Sequence, residues 1–150
     1  MSKKAAYLEE IHQAAAIRAL RMAERAGYAL TSAGDQNAEQ RGAKAMAKAV
    51  LTGLTPGETD LRVYIGGGVL LSIELKTEVG RVSQEQKDRH ARLRELGFKV
   101  SIVRSDHPRI TARTVMDLVA DELGDEHRKD LYEIAYEAAD EIIKATGKKK

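Results

Sequence analysis

Residues 57–76 read GETDLRVYIGGGVLLSIELK and predict a β-hairpin with three consecutive glycines at its turn. Side chains alternate between the two faces of a strand, so apolar residues line one face of this hairpin and polar residues the other. If the glycines form a three-residue loop, Ile65 pairs with Val69, and Asp60 then lies opposite Glu74 on the polar face. This register decides both the fold and the position of a candidate site.

The facing acids Asp60 and Glu74 predict a divalent-metal site. Two carboxylates directly opposite each other destabilise a sheet, and a cation held between them removes the repulsion. The alternative for Asp60 is an ordinary solvated charge on an edge hairpin, because a slip of one residue sends the two acids to opposite faces. Glu74 and Lys76 belong to LLSIELK, which is apolar enough for a central strand, where charges are rarely buried without a function.

Composition indicates a single domain over residues 1–150. The chain has no cysteine, which excludes disulfides, cysteine-bound zinc and thiol nucleophiles and fits a cytoplasmic location. No apolar run approaches the roughly 20 residues that cross a membrane, and the start lacks the hydrophobic core of a signal peptide. One Phe, five Tyr and no Trp argue against a base-stacking platform for single strands.

Charge is distributed unevenly along the chain. Residues 1–120 carry 19 Lys and Arg against 14 Asp and Glu, whereas residues 121–147 carry 3 against 9, and three lysines follow at 148–150. A basic body with an acidic C-terminal helix is compatible with a nucleic-acid face on the body. A solvated helix face explains the same charges.

The rest of the chain predicts helices around one further strand. The predicted helices cover 5–26, 43–52, 83–96, 111–123 and 126–145, with a polar loop at 31–42 and a third strand at 98–104. Strand, helix and strand over 69–104 indicate a right-handed crossover to a parallel neighbour. We therefore expect an α/β fold with a mixed sheet, a core over about 5–105, a C-terminal helical extension over about 110–146 and a basic tail at 147–150.

The last predicted helix carries one apolar stripe, formed by Leu131, Ile134, Ala135, Ala138 and Ile142. Such a stripe packs either against the body of the same chain or against a second copy. The sequence leaves both interpretations open.

Two polar side chains outside the hairpin are candidates for the same site. Gln86 completes a capping box with Ser83, yet it also lies on the helix face that must pack on the sheet, and the two roles compete. Glu9, with Glu10 as the alternative, either supplies a third carboxylate or is a solvated acid favoured by the helix dipole. His90 lies one turn after Gln86 and is expected to be a core residue rather than a metal ligand.

The order of these motifs resembles the PD-(D/E)XK nucleases, and within them the VRR-NUC branch, the virus-type replication-repair nucleases. The matching segments are Asp60, then Glu74-Leu75-Lys76, then GRVSQEQ with its helix, then GFKVSIVRS. The match is clear over residues 53–105 and weaker over 8–52. Thr59 stands where the family has proline, at a position that mainly shapes the backbone.

The resemblance implies a restriction-endonuclease-like core and a metal-dependent DNA endonuclease. Asp60, Glu74 and the main-chain carbonyl of Leu75 would bind Mg²⁺ or Mn²⁺, and Lys76 would orient the attacking water and stabilise charge on the phosphate. Gln86 and Glu9 match the family's glutamine after the ExK strand and its glutamate in the first helix. The implied substrates are branched replication and repair intermediates, such as Holliday junctions or flaps, in a phage or bacterial setting.

Basic side chains near the site would contact flanking phosphates without reading the base sequence. They are Arg81, Lys87, Arg89, Arg92 and Arg94. A homodimer is expected, because symmetric cutting of a junction needs two sites and each chain offers one. Two competing hypotheses remain, namely a non-catalytic DNA-binding or assembly module that retains the fold and an exonuclease of the same fold.

Overall fold

The computed structural model describes residues 3–35 and 42–147, which form a four-stranded sheet with flanking helices. The elements in chain order are α1 (Lys3–Arg25), β1 (Leu30–Gly34), α2 (Ala43–Leu51), β2 (Leu61–Ile65), β3 (Val69–Lys76), α3 (Gln84–Glu95), β4 (Lys99–Arg104), α4 (Pro108–Leu123), a 3₁₀ turn (Asp125–His127) and α5 (Arg128–Gly147). Within the described ranges, no helix is both long and apolar enough to cross a bilayer.

The sheet is mixed, with strand order β1-β2-β3-β4. The hairpin pairs β2 with β3 antiparallel, and β4 joins β3 in parallel after the crossover through α3. Ile65 pairs with Val69, and the tight turn depends on Gly67 and Gly68, whose φ angles of 88° and 80° are strained for side-chain-bearing residues. Leu61 pairs with Ile73. The predicted register is therefore confirmed.

Strand β1 corrects the prediction of a loop over residues 31–42. Residues 30–34 pair antiparallel with β2, from Leu30 opposite Ile65 to Gly34 opposite Leu61. The segment LTSAG buries only its leucine side chain, so it lacks the alternating apolar pattern that marks a strand. Its strand conformation depends on the exposed backbone edge of β2. Residues 36–41 of the predicted loop lie outside the described residues.

The core lies between the apolar face of the sheet and the helices α1 and α4. The buried sheet residues are Leu61, Val63, Ile65, Leu71, Ile73 and Leu75. Alanines dominate the buried face of α1, so the helix can approach closely, and Leu20 provides its large apolar side chain. On the opposite, polar face of the sheet, Gln86 of helix α3 donates a hydrogen bond to Glu74 of β3. Both of these residues also line an open cavity.

Helix α5 packs on α1 and α4 of the same chain. Leu131, Ala135 and Ala138 of the predicted stripe are buried there, so packing against the body is the interpretation that the structure supports. Ion pairs also join this acidic helix to the basic body, with Arg18 2.8 Å from Glu141 and an Arg109–Asp140 pair at 2.6 Å. Much of the C-terminal negative charge is therefore balanced within the chain.

Candidate metal centre

Asp60 and Glu74 meet where the hairpin strands end. The Glu74 side chain is buried, at 2% residue exposure, although it lies on the polar face. The Asp60 Oδ2 atom accepts a hydrogen bond from the Leu75 N–H at 2.8 Å. The two carboxyl groups are close enough for the charge of Asp60 to raise the pKa of Glu74. The facing pair predicted from the register is present.

The Leu75 main chain presents a further oxygen to this pair. In an extended strand the N–H and C=O of one residue point to the same edge. Because the Leu75 N–H points to Asp60, the Leu75 carbonyl points to the β2 edge of the strand as well. The paired part of β2 ends at Leu61, opposite Ile73, so the carbonyl has no strand partner there in the β2–β3 register. The Lys76 carbonyl points to the other edge, where it accepts from the Ser105 N–H at 3.0 Å.

Lys76 follows on the same face of β3. Its Nζ atom lies 3.7 Å from Glu74 Oε1, and its side chain is 15% exposed. That distance is too long for a hydrogen bond but close enough for a strong charge interaction. The ammonium group therefore lies beside the acids at the wall of the cavity, available to a bound phosphate.

Gln86 both completes the capping box and contacts the polar face of the sheet, the two roles that we expected to compete. Its Oε1 atom accepts from the Ser83 N–H at 2.9 Å, while the Ser83 hydroxyl accepts from the Gln86 N–H at 3.1 Å, which completes the capping box. Its Nε2 atom donates to Glu74 Oε1 at 2.8 Å. The roles do not compete, because the amide uses its oxygen for the cap and its nitrogen for the acid.

Burial dominates the electrostatics of the pair. Burial, followed by the charge of Asp60, raises the pKa of Glu74 to about 8, and Lys76 opposes the shift. Burial also raises the pKa of Asp60, against the stabilising hydrogen bond from Leu75. Glu74 Oε2 is buried without a hydrogen-bond partner among the described residues, and a cation bound there would offset the cost of burying the two carboxylates together.

The donor set fits a hard divalent ion. Two carboxylates and a carbonyl provide oxygen ligands, which Mg²⁺ and Mn²⁺ prefer, and Mg²⁺ keeps several waters. In residues 3–35 and 42–147, no three His, Asp or Glu side chains cluster closely enough to hold a metal by themselves. His90 is buried on α3, and its Nε2 atom has no hydrogen-bond partner among the described residues. Water or phosphate oxygens would complete the coordination.

An open cavity of about 510 Å³ lies over the acids. Glu9 and Glu10 of α1 both line it, but Glu9 is half-buried in the second turn of the helix whereas Glu10 is exposed. The structure thus brings Glu9 to the same cavity as Asp60 and Glu74. Helix α2 borders the opening through Met46, a contribution that the sequence did not reveal because nothing in AKAMAKAVL points to a site.

Glu58 is a cavity residue that the sequence analysis missed. Its Oε2 atom accepts from Arg89 Nη2 at 2.8 Å, and this pair braces α3 against the start of the hairpin. Burial raises the pKa of Glu58, but the hydrogen bonds from Arg89 and the Thr59 N–H outweigh it and lower the pKa overall. The sequence did contain a signal for this position: Glu58 and Asp60 are two residues apart in GETD, and residues two apart on an extended chain point to the same face.

The five basic residues predicted to contact DNA have different surroundings. Arg89 is engaged with Glu58, Arg92 pairs with Glu95 at 3.1 Å, and Arg94 donates to the Val100 carbonyl at 3.1 Å. The remaining two, Arg81 and Lys87, are exposed and lie on either side of the capping box along the chain. None of the five basic residues is among the described residues that line the cavity.

The two roles of Gln86 can be separated by a pair of variants. Gln86→Glu keeps an acceptor for the cap but places a third carboxylate against Glu74, so we expect the metal-free protein to lose more thermal stability near pH 8 than near pH 5. Ser83→Ala removes only the cap and should cost about 1 kcal/mol at both pH values. Thermal melts at the two pH values measure this. Equal, pH-independent losses for both variants would contradict the Gln86–Glu74 contact.

A solved structure of a VRR_NUC domain protein is similar to this one. The two share 17% identical residues with a TM-score of 0.50, and the alignment covers 83% of this chain and 93% of that chain. No protein-family model and no curated protein matches the sequence. The likeness shows the fold, so the restriction-endonuclease-like α/β architecture expected from the motif order is confirmed.

Proposed function

We propose that this protein is a divalent-metal-dependent deoxyribonuclease of the VRR-NUC branch, which cuts branched DNA such as junctions or flaps internally. One arrangement carries the proposal. Asp60 and the buried Glu74 lie together at an open cavity, burial raises the pKa of both, and the Lys76 ammonium is 3.7 Å from Glu74. Perturbed carboxylates with a specific charge partner in a cleft are typical of catalytic sites.

The arrangement assigns a role to each side chain. Asp60, Glu74 and the Leu75 carbonyl would hold Mg²⁺ or Mn²⁺, which supplies Lewis acidity and a more acidic water. Lys76 stabilises the negative charge that develops as the water oxygen bonds to phosphorus and the bond to the leaving sugar oxygen breaks. Gln86 fixes the Glu74 carboxylate through its hydrogen bond, and Glu9 adds a third acid at the cavity wall.

The surface around the cavity suits a phosphate backbone. Arg81 and Lys87 are exposed and lie within two residues along the chain of the lining residues Ser83 and Gln86, and α2 exposes Lys44 and Lys48 with no acidic residue in its sequence. Phosphate contacts of this kind position DNA without reading its sequence. We therefore expect selection by DNA structure rather than by base sequence.

The site argues against a module that only binds DNA. Burying Glu74 against Asp60 opposes folding, because the ionised pair is desolvated and self-repelling. A binding module would gain nothing from that cost, whereas a metal site requires both acids. The enzymatic interpretation accounts for the pair, and the module does not.

Cleavage of a panel of labelled DNAs tests the proposal. The panel holds duplex, single strand, flap, splayed arm and four-way junction, each with Mg²⁺, Mn²⁺ or EDTA. We expect cutting of branched substrates only with a divalent ion, and internal cutting of substrates with blocked ends, which separates an endonuclease from an exonuclease. Binding without any cutting would support the non-catalytic module instead.

A further inference from the structure

The loop over residues 77–82 connects β3 to α3 at the rim of the large cavity. The two residues that flank this loop, Lys76 and Ser83, both line the cavity. Every residue of the loop is at most three positions along the chain from one of them, and three residues of chain span at most about 11 Å. The loop therefore lies beside the candidate metal centre, where a bound DNA would enter or leave it.

The first half of this loop is a tight turn that is held by the end of β4. The Gly80 N–H donates to the Thr77 carbonyl at 3.2 Å, which closes the turn. The Arg104 guanidinium donates to the Gly80 carbonyl, and the Asp106 carboxylate accepts from the Glu78 N–H at 3.0 Å. Two side chains from the neighbouring strand end thus fix the backbone of the turn.

Val79 occupies the tip of this turn and is 88% exposed. The tips of tight turns favour glycine, asparagine, aspartate and serine, whereas valine favours strands. The side chain buries almost none of its surface, so neither the formation of the turn nor the packing of the core explains an apolar residue here. Arg81 follows two positions later and is also exposed. The loop therefore presents an apolar tip and a cation at the rim of the cavity.

We propose that Val79 is a wedge that inserts against the last base pair of a duplex arm and so selects branched DNA for cleavage. The proposal rests on the proposed function, because it names the feature of the substrate that the same site recognises. Apolar side chains that insert between bases are a general means of unstacking DNA. Unstacking costs least where the bases are already partly unpaired or single-stranded, as they are at a branch. Continuous duplex therefore resists the wedge.

The braced turn suits this task in two ways. A wedge on a fixed backbone inserts without first losing the conformational freedom of a flexible loop, and the exposed Arg81 beside it provides a contact for a phosphate. The position of Val79 also limits where the DNA is cut. It lies three residues after Lys76, and successive bases on a strand rise by about 3.4 Å. The cut should therefore fall within about three nucleotides of the branch.

Fluorescence of the adenine analogue aminopurine tests the insertion without any cleavage. The analogue is placed in the last base pair of a duplex arm, and the DNA is saturated with protein in Ca²⁺. We expect the wild type and Val79→Ile to raise the fluorescence, because an unstacked base is no longer quenched, whereas Val79→Ser should lose most of the rise. The same analogue in the middle of the duplex arm should not respond. An equal rise with Val79→Ser would overturn the proposal.

The cleavage rates of branched and duplex DNA provide the second readout. Val79→Ser should lower the preference for the branched substrate about tenfold, the loss expected when two methyl groups no longer bury against the bases. Ile143→Ser changes an exposed apolar residue on α5 and should keep the preference. Cutting of branched DNA with the same preference in Val79→Ser would refute the wedge and leave the nuclease intact. A fluorescence rise without any cutting by the wild type in Mg²⁺ or Mn²⁺ would retain the wedge and refute the proposed function.

Discussion

Lys76→Ala should slow DNA cleavage by about a hundredfold or more, while the variant still folds and still binds DNA. The side chain is 15% exposed at the cavity wall, so its removal leaves no large void in the core. Its ammonium acts on the charge that develops at the phosphate, and the loss of one such group costs about a hundred- to a thousandfold in rate. Single-turnover cleavage with Mg²⁺ measures the loss, and DNA binding in Ca²⁺ measures what is retained.

Lys129→Ala is a matched control for Lys76→Ala. Lys129 is an exposed lysine on α5, a helix that packs on α1 and α4 rather than on the sheet hairpin. Its removal should leave the cleavage rate unchanged within twofold or so, the range typical of distant surface changes. Normal cutting by Lys76→Ala would remove Lys76 from the site.

Glu74→Gln is expected to stabilise the metal-free protein and to eliminate metal binding. The amide oxygen can still accept from Gln86, and its NH₂ group can donate to Asp60, so the local hydrogen bonds survive without a buried charge. We expect the melting temperature to rise by about 5 °C or more near pH 8. Added Mn²⁺ should stabilise the wild type but not the variant. Thermal melts with and without Mn²⁺ measure both effects.

The pH dependence of stability has a defined sign. Glu74 has a pKa of about 8 in the folded protein and near 4.5 in the unfolded chain, so the folded state holds a proton more tightly. Metal-free wild type should therefore lose stability as pH rises from 4.5 through 8. Glu74→Gln should lose this component, whereas Glu133→Gln, an exposed acid on α5, should keep it. Identical pH curves for wild type and Glu74→Gln would mean that Glu74 is not buried as described.

The hairpin and its facing acids were predictable because their signals are local. Strand alternation and a three-glycine turn fix the register from Asp60 to Glu74, and the serine–glutamine spacing fixes the start of α3. The crossover to β4 follows from chain handedness. Each of these signals lies within about one element of the chain, where periodicity and turn chemistry decide the outcome.

The features that the sequence missed depend on partners far along the chain. Strand β1 has a weak pattern of its own and exists through pairing with β2. The Glu58–Arg89 pair joins residues 31 positions apart, and His12 meets Thr111 across 99 positions. The two roles of Gln86 do not compete, because its amide oxygen accepts from the Ser83 N–H while its amide nitrogen donates to Glu74. The spacing of residues along a helix does not reveal this division of the amide group.

Calorimetric titration of Mn²⁺ into wild type and Asp60→Asn tests the central claim most directly. Near pH 6.5, and in two buffers of different ionisation enthalpy, the wild type should bind Mn²⁺ with release of about one proton, because the ion displaces the proton held on Glu74. Asp60→Asn should bind at least about tenfold more weakly. Equal affinity in the two proteins, with no proton release, would contradict a metal site built on Asp60 and Glu74.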